Sequence, residues 1–121
     1  MGYRSDVTAL IYPSSGEHSL LNYERLKLLM NTTFKQMLDD WGDSFSWDDR
    51  TRLLEFRVTD VKWYESYPDV QRFVKFLGEV QELEYEYEFM RIGEDYTDIE
   101  QDYTGDCNGY LTLSRTAEVN A

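Results

Sequence analysis

Leu83-Glu84-Tyr85-Glu86-Tyr87-Glu88-Phe89 alternates apolar and acidic side chains without a break. Successive side chains of a strand point to opposite faces. The period of two therefore predicts a strand with Leu83, Tyr85, Tyr87 and Phe89 toward the core and Glu84, Glu86 and Glu88 toward solvent. Met90 and Ile92 then move the apolar residues into the other phase, which a β-bulge near Phe89 would accommodate.

Working outward, Val7, Ala9 and Ile11 alternate with Thr8, Leu10 and Tyr12 before Pro13. Both faces of that segment are largely apolar, as expected for an interior strand. From Asn22 the spacing changes to threes and fours through Leu26, Leu29, Met30, Thr33, Phe34, Met37, Leu38 and Trp41, predicting one amphipathic helix closed by Gly42. Phe45 and Trp47, then Leu54, Phe56 and Val58, flank Asp48-Asp49-Arg50-Thr51 as a β-hairpin. Ser66-Tyr67-Pro68-Asp69 is a helix start, with a serine cap, a first-turn proline and a carboxylate facing free amides, and Val70, Phe73, Val74, Leu77 and Val80 follow as the buried stripe. Gly93 to Gly109 reads as a polar connection with one helical turn around Asp98 to Tyr103. Tyr110, Leu111, Leu113 and Arg115 read as a last strand, and residues 116–121 as a frayed tail.

Strand, helix, hairpin, helix, strand is the βαββαβ order of a ferredoxin-like α+β sandwich, with two helices on one face of an antiparallel sheet and an extra C-terminal strand. At 121 residues and 14.4 kDa the chain, residues 1–121, is expected to form a single domain. Its 41% hydrophobic and 16% aromatic content is too high for a disordered acidic tail.

The formal net charge of -12 excludes direct nucleic-acid binding by overall charge. Eleven acids lie between Glu79 and Asp106 against Arg91 alone. Glu84, Glu86 and Glu88 on the strand, followed by Glu94, Asp95, Asp98, Glu100 and Asp102, form the candidate partner-binding surface, one able to imitate a nucleic-acid backbone toward a basic groove on another protein. The same acids can equally be a solvated strand face that discourages edge pairing. Their spacing does not fit an EF-hand loop, so no metal is expected. A smaller constellation, Arg4, Lys62, Trp63, Tyr64, Arg91 and Arg115, combines guanidinium forks with aromatic faces and is the candidate site for a nucleotide, although no glycine-rich phosphate loop accompanies it.

Catalytic groups are not evident. His18 stands beside no nucleophile, Ser14, Ser15 and Ser19 lack a hydrolase elbow, and the lone Cys107 adjoins Asp106, which disfavours its thiolate. One cysteine forms no internal disulfide, the Val7–Tyr12 run is too short for a signal or membrane segment, and Asp6 breaks the myristoylation pattern. A cytoplasmic protein without cofactor is expected.

Three segments, Met1-Gly2-Tyr3-Arg4-Ser5-Asp6-Val7, Asp60 through Val70 (DVKWYESYPDV) and Phe89 through Glu100 (FMRIGEDYTDIE), resemble a family of short acidic proteins encoded by tailed bacteriophages and prophages. The resemblance carries over no catalytic residues. It implies a setting in the bacterial host, where small phage proteins of this kind often bind a host or defence component, as acidic non-enzymatic inhibitors of CRISPR effectors and restriction systems do. The function expected is therefore an inhibitor that docks its acids on a basic host or antiviral-defence protein. The alternative is a protein that sequesters a nucleotide signal. A homodimer is compatible with either.

Overall fold

The computed structural model describes residues 3–14, 19–95 and 97–104. The protein is α+β: the described residues form an open five-stranded antiparallel sheet and three helices. In chain order these are β1 (Ser5–Pro13), α1 (Ser19–Asn31), α2 (Lys35–Trp41), a 3₁₀ turn (Gly42–Ser44), β2 (Phe45–Asp48), β3 (Leu53–Val61), α3 (Pro68–Glu82), β4 (Tyr85–Gly93) and β5 (Ile99–Tyr103). The sheet runs β2-β3-β1-β4-β5, so it departs from a four-stranded sandwich by carrying β5 outside β4. No helix among the described residues is long and apolar enough to cross a membrane.

β1 occupies the middle because it can be buried on both sides. Val7, Ala9 and Ile11 join Tyr85, Tyr87 and Phe89 of β4 and the inner residues of all three helices in one core. Leu10 and Tyr12 meet Leu53, Met90 and Ile92 in a second cluster drawn from strand residues alone. This second layer corrects the expected bulge. β4 pairs with β1 in unbroken register from Tyr85 opposite Pro13 to Gly93 opposite Ser5. Met90 and Ile92 are thus no phase error; they complete the second cluster. The register irregularity lies instead between Ser5 and Val7, in the pairing of β1 with β3, beside Asp60 at φ 55°.

The expected single helix over residues 22–41 is two. At the break, Thr32 turns its hydroxyl onto the Leu28 carbonyl (2.8 Å), and the Phe34 amide bonds the Leu29 carbonyl five residues back (2.8 Å). A threonine hydroxyl competing for helix carbonyls, with β-branched Thr33 next, favours such a change of register. Phe34 thereby reaches the core, edge-on to Phe76 at 5.0 Å.

The β2–β3 hairpin forms as expected; Asp48 closes its turn by accepting the Arg50 and Thr51 amides (3.0 and 3.2 Å). α3 starts at Pro68, with Tyr67 as its cap residue rather than Ser66. Its buried stripe is Val70, Phe73, Phe76, Leu77 and Val80, so Phe76 takes the place expected of Val74, which is exposed. Within the polar connection, the stretch expected to form a helical turn over Asp98 to Tyr103 is instead β5 from Ile99 onward, paired with β4 from Ile99 opposite Ile92 to Tyr103 opposite Glu88. The strand and tail expected at 110–121, with Arg115, lie outside the described residues.

Phe56 joins the layers, with its ring centroid 4.3 Å from that of Phe73, 5.0 Å from Phe45 and 5.6 Å from Trp41. Truncating a buried phenylalanine loses both burial and packing. Phe56→Ala should lower the unfolding free energy by about 3–5 kcal/mol in denaturant titration, and a change below about 1 kcal/mol would contradict this picture of the core.

Candidate functional site

The helix-side face of β4 presents Tyr87, Phe89 and Arg91 at alternate positions, and β5 sets Asp102 opposite Phe89 and Glu100 opposite Arg91. The sheet steps out past α3, leaving a cleft of about 800 Å³. Trp63, Tyr87, Phe89, Val70 and Leu77 form its buried apolar lining, with Tyr64 partly exposed at one end. Glu65, Gln71, Val74 and Lys75 edge it on the helix side, and Arg91, Glu100 and Asp102 on the sheet side. Trp63 is fixed by rings on four elements: Trp41 and Phe73 each at 5.5 Å, and Phe56 and Phe89 each at 6.3 Å.

Arg91 is held at almost every donor. Its Nε bonds Glu100 (3.0 Å), Nη2 bonds Asp98 Oδ1 (2.8 Å), and Nη1 reaches Asp98 Oδ2 (3.2 Å) and Ser5 Oγ (3.1 Å). The Tyr3 hydroxyl donates to the same Asp98 oxygen (2.6 Å) and accepts the Asp95 amide (3.1 Å), while the Tyr3 amide donates to the Tyr64 hydroxyl (2.6 Å). The segment before β1 is thereby tied to Tyr64 of the cleft and to the Asp98 carboxylate that holds Arg91. Gly93 makes the arrangement possible, since a Cβ there would fall on the Asp98 carboxylate and the Tyr3 ring.

Charge in this network is fixed across neutral pH. Hydrogen bonds from Arg91 and then Tyr3 bring the Asp98 carboxyl down to about 2, and the same carboxylate raises the Arg91 guanidinium still further. Burial, then the 2.7 Å bond to Asp102, pushes the Tyr87 hydroxyl up to about 12. These groups can orient and select a ligand by shape and charge; neither Tyr87 nor Arg91 changes protonation near pH 7.

The acids expected to form one outward face are distributed among different tasks. Glu88 is the main correction: it is only 2% exposed and accepts the Tyr12 hydroxyl at 2.7 Å. It shares the phase of Met90 and Ile92, so the second cluster that buries them also draws this carboxylate inward. Glu86 is partly buried and accepts from Thr104 (2.7 Å) and Ser14 (3.3 Å). Glu84 precedes the strand, exposed, with φ 72° in the turn after α3. Leu83 is the cap residue of α3 and not part of β4. Asp95 folds its turn by accepting the Thr97 amide and hydroxyl (both 3.0 Å), Asp98 and Glu100 pair with Arg91, and Glu94 is exposed. No three metal-ligating side chains converge among the described residues.

Of the constellation proposed for a nucleotide, Trp63, Tyr64 and Arg91 meet in the cleft. Arg4 instead donates to the Asp60 carbonyl (2.9 Å), and Lys62 is exposed outside the lining. Sequence reasoning missed Glu65, Gln71 and Lys75 as part of a site. The only available signal was an apolar Val74 at the margin of an otherwise buried stripe. Family profiles, curated proteins and solved structures yield no match to this chain.

The Asp98 network should contribute stability with a defined pH dependence. A carboxyl depressed to about 2 binds fewer protons folded than unfolded, where about 3.9 is usual, so its contribution is full above about pH 4 and is lost as pH falls through 2. Asp98→Asn should therefore melt below the wild type at pH 7, with the gap closing between about pH 4 and pH 2. A gap unchanged over that interval would show that the Asp98 charge has no part in it.

Proposed function

We propose that the protein is a non-enzymatic binding protein whose aromatic cleft takes a cationic, partly apolar segment of a partner protein. The reading agrees with a phage-encoded inhibitor of a host or defence protein acting in the bacterial cytoplasm, but it replaces a continuous acidic strand face with a concave, mixed surface. One observation carries it: the cleft's sheet-side cation, Arg91, is already neutralised by Asp98 and Glu100, so Glu65 and Asp102 remain at the rim opposed by Lys75 alone. Lys75 has no ion-pair partner among the described residues. Aromatic faces flanked by carboxylates favour guanidinium and ammonium groups, through cation–π attraction of about 0.5–1 kcal/mol per exposed contact and through charge.

A nucleotide signal has weaker support, because Arg4 and Lys62 lie outside the cleft and a phosphate would meet carboxylates beside Arg91. For the fold, the adjacency β2-β3-β1-β4, with helices between β1 and β2 and between β3 and β4, supports reading these four strands as a ferredoxin-like unit to which β5 is added.

Calorimetric titration with arginine- and lysine-containing aromatic peptides, and separately with linear and cyclic nucleotides, tests the proposal. Basic peptides should bind, and more weakly as salt rises. Glu65→Gln with Asp102→Asn should reduce affinity by up to about tenfold, since each exposed charge pair is worth about 0.2–1 kcal/mol. Val74→Arg, at a position 56% exposed, should block the cleft while leaving the melting temperature nearly unchanged. Binding of nucleotides without basic peptides, or unaltered peptide affinity in both variants, would overturn it.

A further inference from the structure

We infer that α1 is the seam of a twofold-symmetric dimer of this protein. The helix is apolar on two sides. Tyr23, Leu26 and Met30 face the core, yet Leu20, Leu21 and Leu28 are 52%, 67% and 63% exposed. A surface helix ordinarily turns polar residues outward, and an outer leucine row at helical spacing marks a face made to be covered.

The spacing identifies a second copy as the cover. At 100° per residue, Leu21, Glu24, Arg25 and Leu28 fall on one outward stripe. Set two α1 helices antiparallel about a twofold axis passing between positions 24 and 25. Leu21 then lies against Leu28 of the second copy, and Glu24 against Arg25 of the second copy, each contact occurring twice. Self-complementarity of this kind is what an isologous interface requires. Neither charge is held in a close ion pair: Glu24 has only an exposed 3.8 Å contact with Lys27, and Arg25, which meets the Tyr85 hydroxyl, has no carboxylate partner among the described residues. No residue of α1 lines the cleft, so both copies keep it open and the inference stands apart from the cleft's ligand.

A 13-residue helix is about 20 Å long, and a seam of that length falls short of the roughly 800 Å² per partner of standard stable interfaces. The dimer is therefore reversible, forming at micromolar concentrations or above. Sedimentation velocity on the full chain, from low to several hundred micromolar, should show wild-type monomers converting to dimers and Leu28→Glu remaining monomeric. Glu24→Arg and Arg25→Glu place like charges together and should each weaken association at least tenfold. Mixing these two variants should restore dimers, because one copy then offers two cations to the two anions of the other. Circular dichroism of each variant should match the wild type, as every substituted side chain is exposed. A wild type monomeric at every concentration, a Leu28→Glu chain that dimerises as well as wild type, or a mixture no stronger than its components would overturn the inference.

Discussion

Burial of β1 on both faces is the constraint from which the rest of the molecule follows. An antiparallel sheet with one wet face needs apolar residues at only every second position. Here Leu10 and Ile11, adjacent in sequence and on opposite faces, are both fully buried. A central strand of this kind forces its neighbours to carry apolar groups in both phases. β4 does so with Tyr85, Tyr87 and Phe89 toward the helices and Met90 and Ile92 away from them. Glu88 shares that second phase, and it is tolerated inside because a polar group taken from water finds a hydrogen-bond donor in Tyr12.

This constraint also sets what was legible in the sequence. The order of strands and helices through residue 93 could be read from periodicity, apart from the break that divides residues 22–41 into α1 and α2, because β1, β3, β4 and the longer helices each bury an apolar stripe. The two-sided character of β1 was legible too, but its consequence for β4 was not drawn, and the glutamates of β4 looked uniformly external. Local alternation reports only that two faces differ. Which face is wet depends on a neighbour about 80 residues away. β5 was invisible for a related reason: Ile99, Glu100, Gln101, Asp102 and Tyr103 are all exposed, so neither phase carries a core signal. Glu100 and Asp102 were legible as candidate binding residues, but not that β5 would set them beside Arg91 at the cleft.

The distribution of charge gives the protein a different character from that suggested by its composition. A net charge of -12 invites the image of a uniformly repellent surface. Around β4 and β5, however, acids close turns, hold Arg91 and accept tyrosine hydroxyls, and these local bonds stabilise chain segments that share little apolar contact. What remains at the cleft rim is a modest excess of negative charge beside aromatic rings. On such a surface, shape and orientation would weigh as much as field strength in the binding proposed above.

The tie between Tyr3, Tyr64 and Asp98 has a consequence for biosynthesis. β1 leaves the ribosome long before β4 and must wait, with one edge unpaired and the cluster around Leu10 and Tyr12 incomplete, until Met90 and Ile92 have been made. Tyr3 waits longer still, for the turn beyond Gly93. A nascent chain halted before β5 would hold the aromatic residues of the cleft and its helix-side edge without the carboxylates Glu100 and Asp102 on the sheet side. Order of translation therefore completes the helix-side edge of the cleft before its sheet-side edge, and the unpaired edge of the first strand is where a chaperone would have most to shield.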